Sequence, residues 1–144
     1  MRRTTTSMMT HEENETLCRV GKGTLMGELL RAYWHPVLRS ERLVADGVPQ
    51  RVKLLGDRYV AFRVSDGRVG FFNEACPHRC ASMGLAHNAD NGLRCIFHGW
   101  KFDVTGKLDH VPTEPADVAE EFAKRARAVT YPVREAGGLV WVYV

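Results

Sequence analysis

Cys76-Pro77-His78 and, after sixteen intervening residues, Cys95-Ile96-Phe97-His98-Gly99-Trp100 place one cysteine and one histidine on each of two short segments. Thiolates suit iron–sulfur chemistry, and neutral imidazoles can replace them on one of two irons and raise the reduction potential, so the pattern fits a [2Fe–2S] cluster with unlike irons. Charge counting supports this. Two ferric ions and two sulfides leave two positive charges, so two thiolates make the oxidised site neutral, whereas four would make it doubly negative. A neutral site accepts an electron more easily, and electron transfer is the first functional expectation. The competing reading is a single zinc ion held by two thiolates and two imidazoles. Cys76 and His78, with one residue between them, would reach the same ion only under strain. Two irons remove that difficulty, because each segment can send its Cys to one metal and its His to the other. Pro77 and Gly99 fit tight turns that aim backbone N–H groups at sulfur and tune the potential.

Outward from these segments the chain reads as short strands. Val37–Leu38, Arg51–Leu55, Arg58–Val64 and Val69–Phe72 are rich in β-branched and aromatic residues, with turns expected at Gly56-Asp57 and Asp66-Gly67. Arg94 leads into the second Cys/His segment. A hairpin is expected from Trp100–Asp103 and Lys107–Asp109 across Thr105-Gly106, then a short helix over Pro115–Lys124 and strands Ala128–Arg134 and Leu139–Val144. Ahead of the strands, Thr24 predicts a helix N-cap, with Leu25, Leu29, Leu30 and Tyr33 on one face and Pro36 ending the helix. Residues 1–18 read as a polar tail, disordered at its start. The fold class is mainly β, an antiparallel meander with the ligand loops at one end.

Composition fits a single core: 144 residues, 44% hydrophobic and 26% charged. The net charge of +3 is mild and the basic residues are scattered, which argues against a nucleic-acid partner. Met1-Arg2-Arg3 has no apolar stretch behind it, and no window is long enough to span a bilayer, so neither a leader nor a membrane partner is expected. Of four cysteines, two are assigned to iron; Cys18 and Cys80 as free thiols suit a reducing cytoplasm.

Beyond the ligand motifs, Arg19-Val20-Gly21, Gly27-Glu28-Leu29-Leu30-Arg31, Tyr33-Trp34-His35-Pro36-Val37, Tyr131-Pro132-Val133 and Gly138-Leu139-Val140-Trp141-Val142 complete a pattern. Together they resemble the Rieske non-haem iron oxygenases that hydroxylate aromatic rings, most closely the phthalate dioxygenase-like large subunits, over residues 19–144. The resemblance implies a Rieske fold, with Cys76 and Cys95 on the inner iron and His78 and His98 on the outer one. It also implies a reductase or ferredoxin as electron donor and neighbouring oxygenase subunits as partners. Cys80 departs from the pattern, which more often has Gly there. Respiratory Rieske proteins brace both loops with a disulfide, and Cys80 finds no cysteine between Cys95 and His98 to pair with.

In such oxygenases a larger domain follows, holding a mononuclear ferrous ion with two His and a carboxylate. The apolar Leu139–Val144 strand predicts continuation past Val144, and His11, His35, His87 and His110 show no such ligand spacing. The chain is therefore expected to relay electrons without activating O2 itself. His11, His87 and His110 read as solvated side chains, and His35 as a structural hydrogen-bonding residue. Arg79 and Trp100 are expected either to shield the cluster and meet a redox partner or simply to pack in the loops. Two alternatives remain: a stand-alone Rieske ferredoxin, against which the Gly21–Pro36 segment weighs, and a zinc-stabilised interaction module.

Overall fold

The computed structural model describes residues 8–144. Its centre is a meander of β2 (Gln50–Leu54), β3 (Asp57–Arg63) and β4 (Val69–Asn73), in which Gln50 faces Ala61 and Tyr59 faces Asn73. One flanking sheet joins β1 (His35–Arg39) to β10 (Leu139–Val142) and β9 (Val133–Ala136), in the order β1-β10-β9. Pro36 is tolerated in β1 because that strand lies at the sheet edge. The other is a second meander of β5 (His87–Ala89), β6 (Gly92–Arg94), β7 (Lys101–Asp103) and β8 (Leu108–His110). Helices α1 (His11–Cys18), α2 (Leu25–Arg31) and α3 (Ala116–Arg125) lie outside the sheets.

Side chains alternate across a strand, so a sheet covered on both faces buries every position. The centre of β3 does so. Val60 and Phe62 join Phe72, Leu93, Phe102 and Leu108 in one core, while Tyr59 and Ala61 join Leu43, Phe71, Val140 and Val142 in another. Cys76 and Cys95 belong to the first core.

Arg63, at the end of β3, ties the second core together. Its guanidinium donates to the carbonyls of Leu43 (2.7 Å), Gly67 (2.8 Å) and Ser40 (3.3 Å), and forks onto the Glu135 carboxylate at 2.6 and 3.0 Å. That pairing holds the Glu135 carboxyl below its usual range. A depressed carboxylate contributes stability that is present above its unfolded pKa and is lost as pH falls through the folded value. Arg63→Ala is expected to cost about 3 kcal/mol in urea unfolding, because three carbonyls and a carboxylate lose a charged donor. Glu135→Gln should cost less and flatten the acid side of the stability profile. An Arg63→Ala protein as stable as the parent would show that water replaces these bonds without cost.

The strands expected on β1 to β4 and on β7, β8 and β10 are present, with shifted ends. The β2–β3 turn sits on Leu55 (φ 48°) and Gly56 (φ 89°), one residue before the position expected, because a tight hairpin needs two left-handed residues in succession. Ala128–Arg134 is not a single strand: Thr130 bridges Phe72 beside β4, and β9 begins only at Val133. β5 and β6 were not anticipated. They are three residues each, too short to show alternation, and their turn uses Asp90 (φ 52°) and Asn91 (φ 56°), residue types that tolerate the left-handed region.

Thr24 caps α2 as expected, its Oγ1 accepting from the Gly27 N–H at 3.1 Å. The apolar face does not pack as expected: Leu25 is 78% exposed, and Gly27 is the only residue of α2 that is buried. The helix is anchored instead by Arg31, which donates to the carbonyls of Val20 and Leu55 and to Asp57. α1 occupies part of the segment read as a polar tail. A capping box between Thr10 and Glu13 starts it, and none of its residues is buried. The disorder expected at the chain's start falls on residues 1–7, outside the described residues. Among the described residues no helix is long and apolar enough to cross a membrane.

Candidate metal centre

The first Cys/His segment follows β4, and the second joins β6 to β7. Each closes on itself by the same pair of main-chain hydrogen bonds. The Cys76 N–H donates to Ala81 O at 2.8 Å and the Cys80 N–H to Cys76 O at 2.9 Å. In the second loop the Cys95 N–H donates to Trp100 O at 2.9 Å and the Gly99 N–H to Cys95 O at 3.0 Å. Both turns need a left-handed residue four positions after the cysteine: Gly99 at φ 73° and Cys80 at φ 56°. The departure noted at Cys80 therefore falls where glycine would be unstrained. Arg94 braces the second loop by donating to Gly99 O at 3.1 Å.

These matched turns bring all four candidate residues to one end of the domain. Cys76 and Cys95 are 1% and 3% exposed, whereas His78 and His98 are half-buried with ring centroids 4.6 Å apart. Burial pushes the Cys76 thiol up to about 11; the adjacent Cys95 also raises it, and the backbone N–H groups of His78 and Arg79 pull against them. A buried thiol pair without a counter-charge resists ionisation, and positive metal supplies that charge. Burial also lowers His78, helped by His98 and Arg79 and opposed by Glu114, which favours the neutral imidazole a metal needs.

The chemistry of this donor set can be weighed against both metal readings. A single zinc ion needs its four donors to converge on one point, whereas here the two thiols are buried and the two imidazoles half-buried, as two separate pairs. Paired thiols beneath paired imidazoles suit two irons, one ligated by each pair. The N–H groups of His78 and Arg79 directed at the Cys76 sulfur are the donors that tune such a cluster.

Around the ligands, Trp100 is buried with its indole stacked on His78 at 4.3 Å, and Phe97 lies 4.1 Å from the His98 ring. Arg79, Ile96 and Phe97 are exposed. Trp100 was visible in the sequence, but its supports Thr113 and Phe122 were not, since nothing local marks them as neighbours of the loop. The remaining histidines behave as read. His11, His87 and His110 are exposed, and the His35 Nε2 is 2.8 Å from Leu30 O. Cys18 and Cys80 are exposed free thiols.

The chain is 47% identical over 134 residues to the 3-chlorobenzoate-3,4-dioxygenase oxygenase subunit of Comamonas testosteroni, covering 92% of this chain and 30% of that protein. It is 44% identical over 138 residues to the phthalate 4,5-dioxygenase oxygenase subunit of Pseudomonas putida, covering 95% of this chain and 31% of that one. It thus spans about a third of the length of these relatives. A crystal structure of dicamba monooxygenase with non-heme iron and dicamba superposes with a TM-score of 0.66 at 26% identity, over 77% of this chain and 32% of that one. The family described as the Rieske [2Fe-2S] domain matches residues 33–132, two matched loops with paired thiols and imidazoles included, and the chain belongs to that family.

Proposed function

We propose that this chain is the electron-transfer domain of an aromatic ring-hydroxylating oxygenase, in which Cys76 and Cys95 hold the inner iron and His78 and His98 the outer iron of the cluster. The observation that carries the ligand assignment is the separation of a buried thiol pair from a half-buried imidazole pair on two equivalent loops. The bound cluster supplies one-electron chemistry. The protein keeps the sulfurs dry in the first core, directs N–H groups at them, and leaves the imidazole end near the surface where an electron can enter and leave.

In this reading the donor is a reductase or a ferredoxin. The recipient is a mononuclear ferrous ion held by a further domain of the oxygenase or by a neighbouring subunit, so this chain belongs to an oxidoreductase and relays electrons within it. The similarity to two dioxygenase oxygenase subunits supports that assignment. The cytoplasm is the proposed location, where the exposed thiols of Cys18 and Cys80 stay reduced.

Anaerobic purification followed by dithionite titration tests the proposal. Two irons and two acid-labile sulfides per chain, a visible spectrum that bleaches with one electron, and the EPR signal of a mixed-ligand cluster are expected. A colourless protein carrying one zinc ion would sink it.

A further inference from the structure

We propose that Trp100 is a positioning residue for His78: its indole fixes the plane of the imidazole and keeps water from one of its faces, and so lowers the reduction potential of the cluster. This rests on the proposed ligation of the outer iron by His78.

The two rings are nearly parallel, their planes 2° apart and their centroids 4.3 Å apart. Stacked rings usually prefer an offset or an edge, and a plane so well aligned persists only where both partners are held. Trp100 is held on several sides. Its Nε1–H donates to Thr113 Oγ1 at 3.3 Å, Phe122 packs T-shaped on it at 6.2 Å and 72°, and Phe102 lies 6.4 Å away in the core. Just ahead of it, Gly99 is pinned as well, since a Cβ there would sit 2.7 Å from Pro112 Cγ. Pro112, Thr113 and Phe122 all belong to the stretch that runs from the end of β8 through α3, so that stretch clamps the end of the second loop against the ligand of the first.

The two imidazoles are consequently unlike. Against His78 stands a buried indole, 5% exposed; beside His98 stands Phe97, 60% exposed. The plane of an imidazole sets its overlap with the metal orbitals and the direction of its outer N–H, and the hydration of that side sets the cost of the added electron. The oxidised site is neutral and the reduced site carries a negative charge, so water admitted beside His78 favours reduction.

Four substitutions in the cluster-loaded protein separate this role from plain packing. Trp100→Leu keeps an apolar side chain and removes the stacking face; it should raise the reduction potential and broaden the EPR signal of the reduced cluster. Trp100→Phe restores a ring and should return both toward the parent values. Phe122→Ala removes the ring that packs against Trp100 and should move both in the direction of Trp100→Leu by a smaller amount. Parent potential and line shape in Trp100→Leu would overturn the proposal. If Trp100→Leu takes up no cluster, parent values in both Phe122→Ala and Thr113→Val overturn it equally. Failure of the underlying ligation is a separate result: the parent protein would then lack a mixed-ligand signal, or His78→Ala would keep it.

Discussion

Replacing either His78 or His98 by Ala should abolish the mixed-ligand EPR signal and the visible spectrum that goes with it, while Cys80→Ser leaves both unchanged. The reason lies in charge and number of donors. In the proposed assignment the outer iron has two protein donors, His78 and His98, so losing one imidazole would leave it a single one. Water could fill one position, but a half-open iron in a loop of this size exchanges and is lost. Cys80 is a different matter. It lies on the first loop four residues after Cys76, is exposed, and contributes its N–H to the turn while its thiol stands outside the ligand pairs. Serine keeps the main-chain bond and loses only sulfur. A Cys80→Ser protein without a cluster, or a His98→Ala protein with an unchanged one, would overturn the ligand assignment.

If Cys76 and Cys95 hold the cluster as proposed, stripping the iron should cost the domain about 3 kcal/mol or more, since tying those two residues together would close a chain loop long enough for a cross-link to matter at that level. Burial adds to the cost. Both thiols sit inside the first core among Phe62, Phe72, Leu93 and Phe102, and Cys76 is nearly as enclosed as those rings. Without metal, burial keeps the Cys76 thiol protonated, since its pKa is pushed up to about 11, and the adjacent Cys95 thiol pushes in the same direction. The loss should be uneven. Amides of β5 to β8 and of both loops should exchange faster, whereas those around Arg63 and the second core should hold, because that core has no ligand in it. Thermal unfolding of the chelated and reconstituted protein, with hydrogen exchange read by mass spectrometry, measures both effects. Equal melting temperatures would mean that the loops are self-supporting.

The four candidate ligands stood out in the chain because Cys and His are rare and their positions on each segment carry chemical meaning by themselves, and the structure brings all four to one end of the domain. The central meander was legible for a similar reason: β2, β3 and β4 are five to seven residues long and separated by glycine-containing turns. What escaped reading depends on distant partners. β5 and β6 owe their existence to the Asp90-Asn91 turn and to Leu93, which is buried against residues far along the chain. The face of α2 misled because Leu25, Leu29 and Tyr33 have helical spacing, yet the close approach is made by Gly27, where a Cβ would collide with the carbonyl of Gly21. His35 could be read correctly because the chain around it, Tyr33 to Pro36, already marks a handover from helix to strand, and its ring is satisfied by Leu30 at 2.8 Å. The stacking of Trp100 on His78 depends on α3, whose helical pattern was visible but whose docking site was not.

Both ligand loops are closed by main-chain hydrogen bonds of the same kind, and no disulfide joins them. An electron crosses fastest when its arrival asks little of the surrounding nuclei. A turn closed by its own backbone would resist drift if the proposed metal–ligand bonds lengthened, leaving the adjustment to the four side chains and the few N–H groups aimed at sulfur. With the proposed cluster in place, turns closed in this way would keep the protein's own part of the reorganisation energy small.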